Sequence, residues 1–297
     1  MSRSPLVLLI VVLLVTACAK DPARIALQDQ SQNFSQSQTP ALDSLLSVHF
    51  INVGQGDAIF IRTPDKKNIL IDAGPPSIDS VYQYLKKMIV DTLQAVILTH
   101  PHLDHYGGLD YLFRHMVIQN FYSNAAAAKD PNIARLISLI PVSYQRIVQK
   151  GDTILAGQFV ILEVFSPPAT PLSFSPANAV NENSLALKMT TPYCSLLFCG
   201  DISLPVESTL VSDYRTRLKA DLLKVSHHGS RYGSDSTFLF WVQPQFAVIQ
   251  TGPNSYGHPH PEALYRLRQQ KIKTYRTDQD GQIIFFSLKD SLWISKL

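Results

Sequence analysis

Residues 47–297 are predicted to form an α/β layered body, on three observations. Short β-type apolar runs alternate with stretches of helical period, in two halves of similar order. The composition, with 12 Tyr and 14 Phe against 19 Pro, suits a β-rich body with many turns. Every cluster of metal-ligating side chains follows directly on a strand-like run, and ligand sites in layered α/β folds gather where strands end.

In chain order, "LSVHFINVGQGDAIFIRTPDKKNILIDAG" alternates in the β manner, with turn chemistry at Gly54–Asp57 and Pro64–Lys67. Strands are expected at 47–53, 57–63 and 68–72. Ile78, Val81, Leu85, Met88 and Ile89 then recur with a helical period. Leu93 to Leu98 is continuously apolar, as in strands buried on both faces. "LDYLFRHM" reads as a helix, "VIQNFYSN" as strand and loop, and "PNIARLISLI" as a weaker helix. Two strands are expected in "DTILAGQFVILEVFSP", a hairpin in "NSLALKMTTPYCSLLFCGD" and a helix in "LPVESTLVSDY". "DLLKVSHHGS" is strand then loop, "STFLFWVQ" helix, "FAVIQTG" strand and "PEALYRLRQQ" helix, followed by two strands in the tail.

The first 46 residues read differently. Arg3, the apolar run Leu6–Val15 and the small residues after it form a secretory signal pattern too short for a spanning helix. Val15-Thr16-Ala17-Cys18 resembles the bacterial lipobox, which implies cleavage, lipidation at Cys18 and anchoring to a membrane. Ala19 in place of Asp favours the periplasmic face of the outer membrane where there are two membranes. Residues 19–46 are Gln/Ser-rich with few apolar anchors and read as a flexible tether. No later apolar run is long enough to span a bilayer. A net charge of +3 argues for neither nucleic acid nor an anionic membrane by itself. Cys194 and Cys199 share one predicted strand, which separates them by about 16 Å, so they are expected to be unpaired core residues.

The chemistry concentrates in "AVILTHPHLDHYGG", residues 95–108. His100, His102, Asp104 and His105 offer the N and O donors that zinc takes. His100 and His102 flank Pro101 in an extended link, so their rings can converge on one ion. Asp104 and His105 lie where the chain turns, aimed toward a second ion about 3.5–4 Å away. Gly107 and Gly108 permit close backbone approach at that bend.

Thr-His-Pro-His-Leu-Asp-His resembles the H-x-H-x-D-H signature of the metallo-β-lactamase superfamily, which implies a four-layer αββα sandwich. "NILIDAG" is similar to the family's first motif, whose Asp, here Asp72, orients the metal loop. "LLFCGD" resembles the motif whose Asp, here Asp201, bridges two metals, and "LLKVSHHGS" the motif with a late metal-binding His. "FINVGQGDAIFI", "NENSLAL", "LKVSHHGS" and "NSYGHP" together are similar to the hydrolase domain of ComEC-type DNA-internalisation proteins, over residues 47–290. Those proteins carry the domain beside a membrane channel. Here a free-standing, secreted relative is expected.

The resemblance implies two divalent metal ions, zinc or manganese, held by His100, His102, Asp104, His105, Asp201 and one of His227 and His228. Neighbours on a strand alternate, so His227 is assigned as the ligand and His228 as proton donor or oxyanion grip. Asp104 also orients the nucleophile. The family's usual middle His is absent, since His115 falls in a helix outside the pattern. The "NENS" segment takes its place, with Asn183 or Ser184 lining the site, or else His258 or His260 filling it. Asp57 braces the metal loop or caps a turn, and Ser230 with Arg231 either contacts phosphate or is solvated. Arg215, Arg217, Lys219 and Lys224 add charge near the last motifs, the usual mark of a solvated face. The implied reaction is metal-assisted hydrolysis, most directly of phosphodiesters and DNA among them. Alternatives are a phosphocholine esterase, a lactonase or a β-lactamase-like enzyme, and a non-catalytic metal- or nucleic-acid-binding lipoprotein. No obligate protein partner is implied.

Overall fold

The computed structural model describes residues 45–76 and 80–297. The expected signal segment, Cys18 and the tether as far as Ser44 lie outside the described residues. The strands are β1 (Leu46–Phe50), β2 (Ile59–Arg62), β3 (Asn68–Ile71), β4 (Thr92–Leu93), β5 (Ala95–Leu98), β6 (Val117–Ile118), β7 (Phe121–Ser123), β8 (Gln145–Ile147) and β9 (Thr153–Leu155). They continue as β10 (Ile161–Ser166), β11 (Ala186–Thr190), β12 (Ser195–Phe198), β13 (Leu222–Lys224), β14 (Phe246–Ile249), β15 (Lys273–Arg276), β16 (Ile283–Leu288) and β17 (Ser291–Lys296). The α-helices are α1 (Ser80–Lys87), α2 (Leu103–Tyr106), α3 (Leu109–His115), α4 (Pro131–Ile137), α5 (Ala179–Glu182), α6 (Leu204–Tyr214), α7 (Ser236–Val242), α8 (Pro261–Gln269) and α9 (Thr277–Asp280).

Two mixed sheets result, ordered β17-β16-β1-β2-β3-β5-β7-β8 and β15-β14-β13-β12-β11-β10-β9. Each is antiparallel through one half and parallel through the other. Strand alternation builds the layers. Val48, Phe50, Ile59, Ile61, Ile69 and Ile71 of the first sheet meet Leu162, Leu187, Met189, Leu196 and Phe198 of the second in a core between the sheets. The opposite faces, through Phe60, Leu70, Val96 and Leu98, pack on α1, α3 and α4. Leu197, Leu223, Ala247 and Ile249 pack on α6, α7 and α8. These are the four layers, helix–sheet–sheet–helix. Truncating a sealed side chain such as Ile97 to Ala costs about 2–5 kcal/mol, because neighbours on both sides cannot close the void.

Two differences from expectation have simple causes. The helix after β3 stops at Lys87, and Ile89 is exposed with φ 56, so its apolar spacing does not extend the helix. The tail holds three strands rather than two. The third, β15, is the edge sequence KTYR, whose register comes from parallel pairing with β14 and not from any apolar run. Cys194 and Cys199 are buried and unpaired. Among the described residues no helix is long and apolar enough to cross a membrane.

His49 on β1 is a buried polar exception. Its Nδ1 lies 2.6 Å from the Tyr84 hydroxyl and its Nε2 2.8 Å from Ser47 Oγ. Burial, with the Arg62 guanidinium adding to it, pushes this imidazole down to about 4 from 6.5. A depressed histidine contributes stability above the unfolded value, lost as pH falls through the folded one. Unfolding free energy is therefore expected to drop by up to about 3 kcal/mol between pH 7 and pH 4 through this group. Denaturant titrations of wild type and His49→Gln should show a shallower acid loss in the variant.

Candidate metal centre

The site forms where β3, β5, β12 and β13 end along the seam between the sheets. Asp72, just past β3 with φ 57, is buried and accepts three hydrogen bonds. Thr99 N–H donates to its Oδ1 at 2.8 Å, Thr99 Oγ1 to its Oδ2 at 2.7 Å, and His105 Nδ1 to its Oδ2 at 2.8 Å. A carboxylate only accepts, so Nδ1 of His105 carries the proton and Nε2 keeps its lone pair. The Thr99 hydroxyl, having given its proton to Asp72, accepts from His100 Nδ1 at 3.0 Å. One carboxylate thus sets the tautomer of two imidazoles.

His100 Nε2 lies 3.0 Å from His102 Nδ1. Two nitrogens sharing a tetrahedral zinc would stand roughly 3.4 Å apart, so both lone pairs converge as one cation requires. With Asp201 these atoms make one group, all within 4.8 Å of one another. Asp104, His105 and His228 make a second. Asp201 Oδ2 joins them, at 3.7 Å from His100 Nε2, 3.4 Å from His105 Nε2 and 3.5 Å from His228 Nε2. Its backbone N–H is held by Ser184 Oγ at 3.2 Å.

The donor set fits a pair of divalent cations. His105 Nε2, His228 Nε2 and Asp201 Oδ1 are buried without a hydrogen-bond partner, a state proteins avoid unless something else takes those lone pairs. The charge balance agrees. Burial works against charge on His228, but Asp201 and Asp57 outweigh it and raise the ring to about 10. A pocket that would otherwise protonate a buried imidazole is short of positive charge.

Asp57 forms an ion pair with the fully buried Lys224 and lies 3.4 Å from His228 Nδ1. That nitrogen donates to the Gln250 carbonyl at 3.0 Å, leaving Nε2 free toward Asp104, 3.3 Å away. The Asp57 backbone also bonds Asp104 and Gly74. Bracing the metal loop is therefore its place, and no turn is capped by its side chain. A Cβ on Gly56 would meet the Asp104 carbonyl at 2.3 Å, and one on Gly108 the Ala73 carbonyl at the same distance, so these loops close only with glycine.

Residues 51–252 match the metallo-β-lactamase superfamily. The chain belongs to this superfamily. It is 31% identical to ComE operon protein 3 of Bacillus subtilis over 82% of this chain and 33% of that one. To Competence protein ComA of Neisseria gonorrhoeae it is 27% identical, over 79% of this chain and 31% of that one. It spans about a third of the length of these curated relatives. Among solved structures, the metallo-β-lactamase fold protein YhfI of Bacillus subtilis superposes with a TM-score of 0.54 at 14% identity, covering 85% of this chain and all of that one. Zinc-bound PqqB of Methylobacterium extorquens gives 0.51 at 14%, over 75% of this chain and 85% of that one. Membership of this superfamily supports a metal-dependent hydrolase, and the His/Asp groups above are candidate divalent-metal sites.

Within this superfamily frame the structure moves several expected roles. Among the described residues His228, and not His227, falls within a candidate ligand group. His228 is sealed in the second group, whereas the His227 side chain is 28% exposed, with Nε2 3.8 Å from Asp201 and outside both groups. Strand alternation does not apply there, because β13 ends at Lys224 and both histidines are left-handed, at φ 47 and φ 52. Lys224 is no part of a solvated basic face. Asn183 does not line the site: its side chain pins Leu172 and Ala179. Ser184 acts behind Asp201 rather than in the cleft. Ser230 is buried, its hydroxyl accepting from Tyr232 N–H, and His260 caps α8 through Glu262 N–H.

The cleft over these ligand groups is about 380 Å³ and is walled by His102, Asp104, Asn181, Asp201, His227, His228 and His258, with Gln55, Leu103 and Tyr256 beside them. His258 is half-buried, pushed down to about 4 by burial and by His227 and His228 beside it, with Nδ1 lacking a partner. Asn181 was missed by sequence reasoning. It opens the NENS segment, lines the cleft, and its buried Oδ1 has no partner. The absent middle His was the signal that this segment lies at the cleft, but it did not tell which of its residues lines it.

Replacing His228 with Ala is expected to remove one bound ion per chain, while His227→Ala keeps both and loses turnover. Elemental analysis beside rate measurements on the two proteins separates these outcomes. Asp72→Asn is expected to weaken metal binding about 10–100-fold, with little change in cleft residues, measured by competition with a chromophoric chelator.

Proposed function

We propose that the protein is an exported, lipid-anchored phosphodiesterase that hydrolyses nucleic-acid backbones with two zinc or manganese ions. The observation that carries the reading is the single carboxylate, Asp201, shared between two ligand groups at the floor of a cleft open to solvent. The names of its relatives, the competence proteins above and Recombination protein 2 of Haemophilus influenzae at 26% identity, support a nucleic acid as substrate.

His100, His102 and Asp201 would hold one ion, and Asp104, His105, His228 and Asp201 the other. When bound, such a pair lowers the pKa of water toward about 7 and stabilises charge on the attacked phosphorus. The chain's own groups do the rest. Asp104, partly exposed and 3.3 Å from His228 Nε2, orients the attacking water and receives its proton. Water adds to phosphorus, and the bond from phosphorus to the leaving oxygen breaks. The leaving oxygen takes its proton from solvent at the open cleft. His227 and His258, with rings 5.2 Å apart on the cleft wall and both held toward the neutral form by burial, steady it by hydrogen bonding. Asn181 offers its amide to a non-bridging oxygen.

The Asp201→Ala protein is expected to fall from about two bound ions to one or fewer, with hydrolysis of bis-p-nitrophenyl phosphate lost. Nitrocefin and lactones should be poor substrates of the wild type. Rapid turnover of either, with the phosphodiester untouched, would replace this reading by another metallo-hydrolase. In a detergent-partition assay of the expressed full chain, wild type should enter the detergent phase and Cys18→Ser the aqueous phase.

A further inference from the structure

A second groove, of about 440 Å³, lies beside α8 and β15, lined by Leu264, Arg268, Lys271, Ile272, Thr274 and Arg276. Three of these six are cationic and none is acidic. The ion pairs nearby are Arg266 with Glu262, Arg276 with Asp278 and Lys296 with Asp280. Arg268 and Lys271 are exposed and have no carboxylate partner among the described residues. Unpaired cations above a partly apolar floor suit a chain of phosphates better than a single small anion.

The groove is tied to the metal centre through the sheet. Arg276 pairs with Ile249 across the β14–β15 ladder, one strand spacing of about 4.8 Å away. Gln250, next in the chain, holds His228 through its carbonyl. Thr251 N–H donates to Thr277 Oγ1 at 2.8 Å and Thr277 Oγ1 to the Thr251 carbonyl at 2.9 Å, so the ends of both strands are locked together. On the cleft's edge Tyr256 is 73% exposed, an aromatic face held out to solvent.

We propose that the α8–β15 groove is a phosphate-binding track that guides a single-stranded nucleic acid toward the metal cleft. The proposal rests on the phosphodiesterase reading and extends it beyond the reacting phosphate. Arg268 and Lys271 hold backbone phosphates away from the scissile bond, and Tyr256 stacks an unpaired base beside it. Stacking is what favours a single strand over an acidic peptide, which has no ring to offer.

Binding of a fluorescent phosphorothioate oligothymidylate to the metal-loaded protein, over a salt series, tests this. Each single-strand phosphate that a protein cation no longer neutralises lowers the slope of log affinity against log salt by about 0.7. Arg268→Ala/Lys271→Ala is therefore expected to lower it by about 1.4, with kcat/KM on bis-p-nitrophenyl phosphate unchanged. Tyr256→Ala should weaken oligonucleotide binding without altering the slope. An unchanged slope in the double variant, with the phosphorothioate still bound and the ordinary phosphodiester oligothymidylate still cleaved, overturns the track and leaves the phosphodiesterase reading standing. A wild type that cleaves the small diester but binds no oligonucleotide defeats the track and the nucleic-acid substrate together. Equal displacement by polyglutamate, with Tyr256→Ala silent, marks an acidic-peptide surface and overturns the proposal.

Discussion

The buried carboxylate of Asp72 is the group on which the centre depends. It accepts from a backbone N–H, a hydroxyl and an imidazole, all on the segment after β5. Metal ligands must be aimed as well as present. A free histidine chooses between two tautomers and many ring orientations, and each choice left open is entropy to be lost on binding. Asp72 removes the choice for His105 directly and for His100 through the Thr99 hydroxyl. Its left-handed backbone, uncommon for a residue with a Cβ, is the strain accepted to turn the carboxylate inward.

A second brace does the same work from the other sheet. Lys224 and Asp57 form an ion pair with no access to water, and removing one member would leave an uncompensated charge worth about 3–5 kcal/mol. The pair joins a residue of the loop between β1 and β2 to the last residue of β13, so it ties the two sheets at the metal end. Burial opposes charge on Lys224, and Asp57 and Asp201 more than offset that. The seam between the sheets is therefore apolar through most of its depth and ionic only at the mouth, where ligands from both sheets meet.

Much of this was legible in the residues, for reasons that also mark where legibility stops. Strand alternation exposed the layers because each sheet face packs on something different. Asp72 and Asp201 each follow an apolar strand run, and with Asp104 of the H-x-H-x-D-H pattern they were legible through resemblance to the superfamily's motifs. Polar β15 gave no such signal, since its pairing depends on β14, far away in sequence. The choice between His227 and His228 rests on two consecutive left-handed residues, a property of the backbone that side-chain periodicity does not encode. Asn183 and Asn181 sit two apart in a short helical turn. Only the Leu172 backbone, which Asn183 grips, decides that Asn181 is the one facing the cleft.

The two ligand groups are unequal, and the missing histidine is why. The group of Asp104, His105 and His228 has two imidazoles, a carboxylate of its own and a share of Asp201, with Asp57 close behind. The group of His100 and His102 has two imidazoles and only the shared carboxylate. A divalent cation is attracted more strongly where more negative charge surrounds it at low dielectric. The richer group would therefore hold a cation more strongly, while the poorer one, His100, His102 and the shared Asp201, offers three protein donors. An open position is what distinguishes a catalytic from a structural site. Three protein donors would leave a fourth place for water or an oxygen of substrate, so the chemistry does not require the middle histidine.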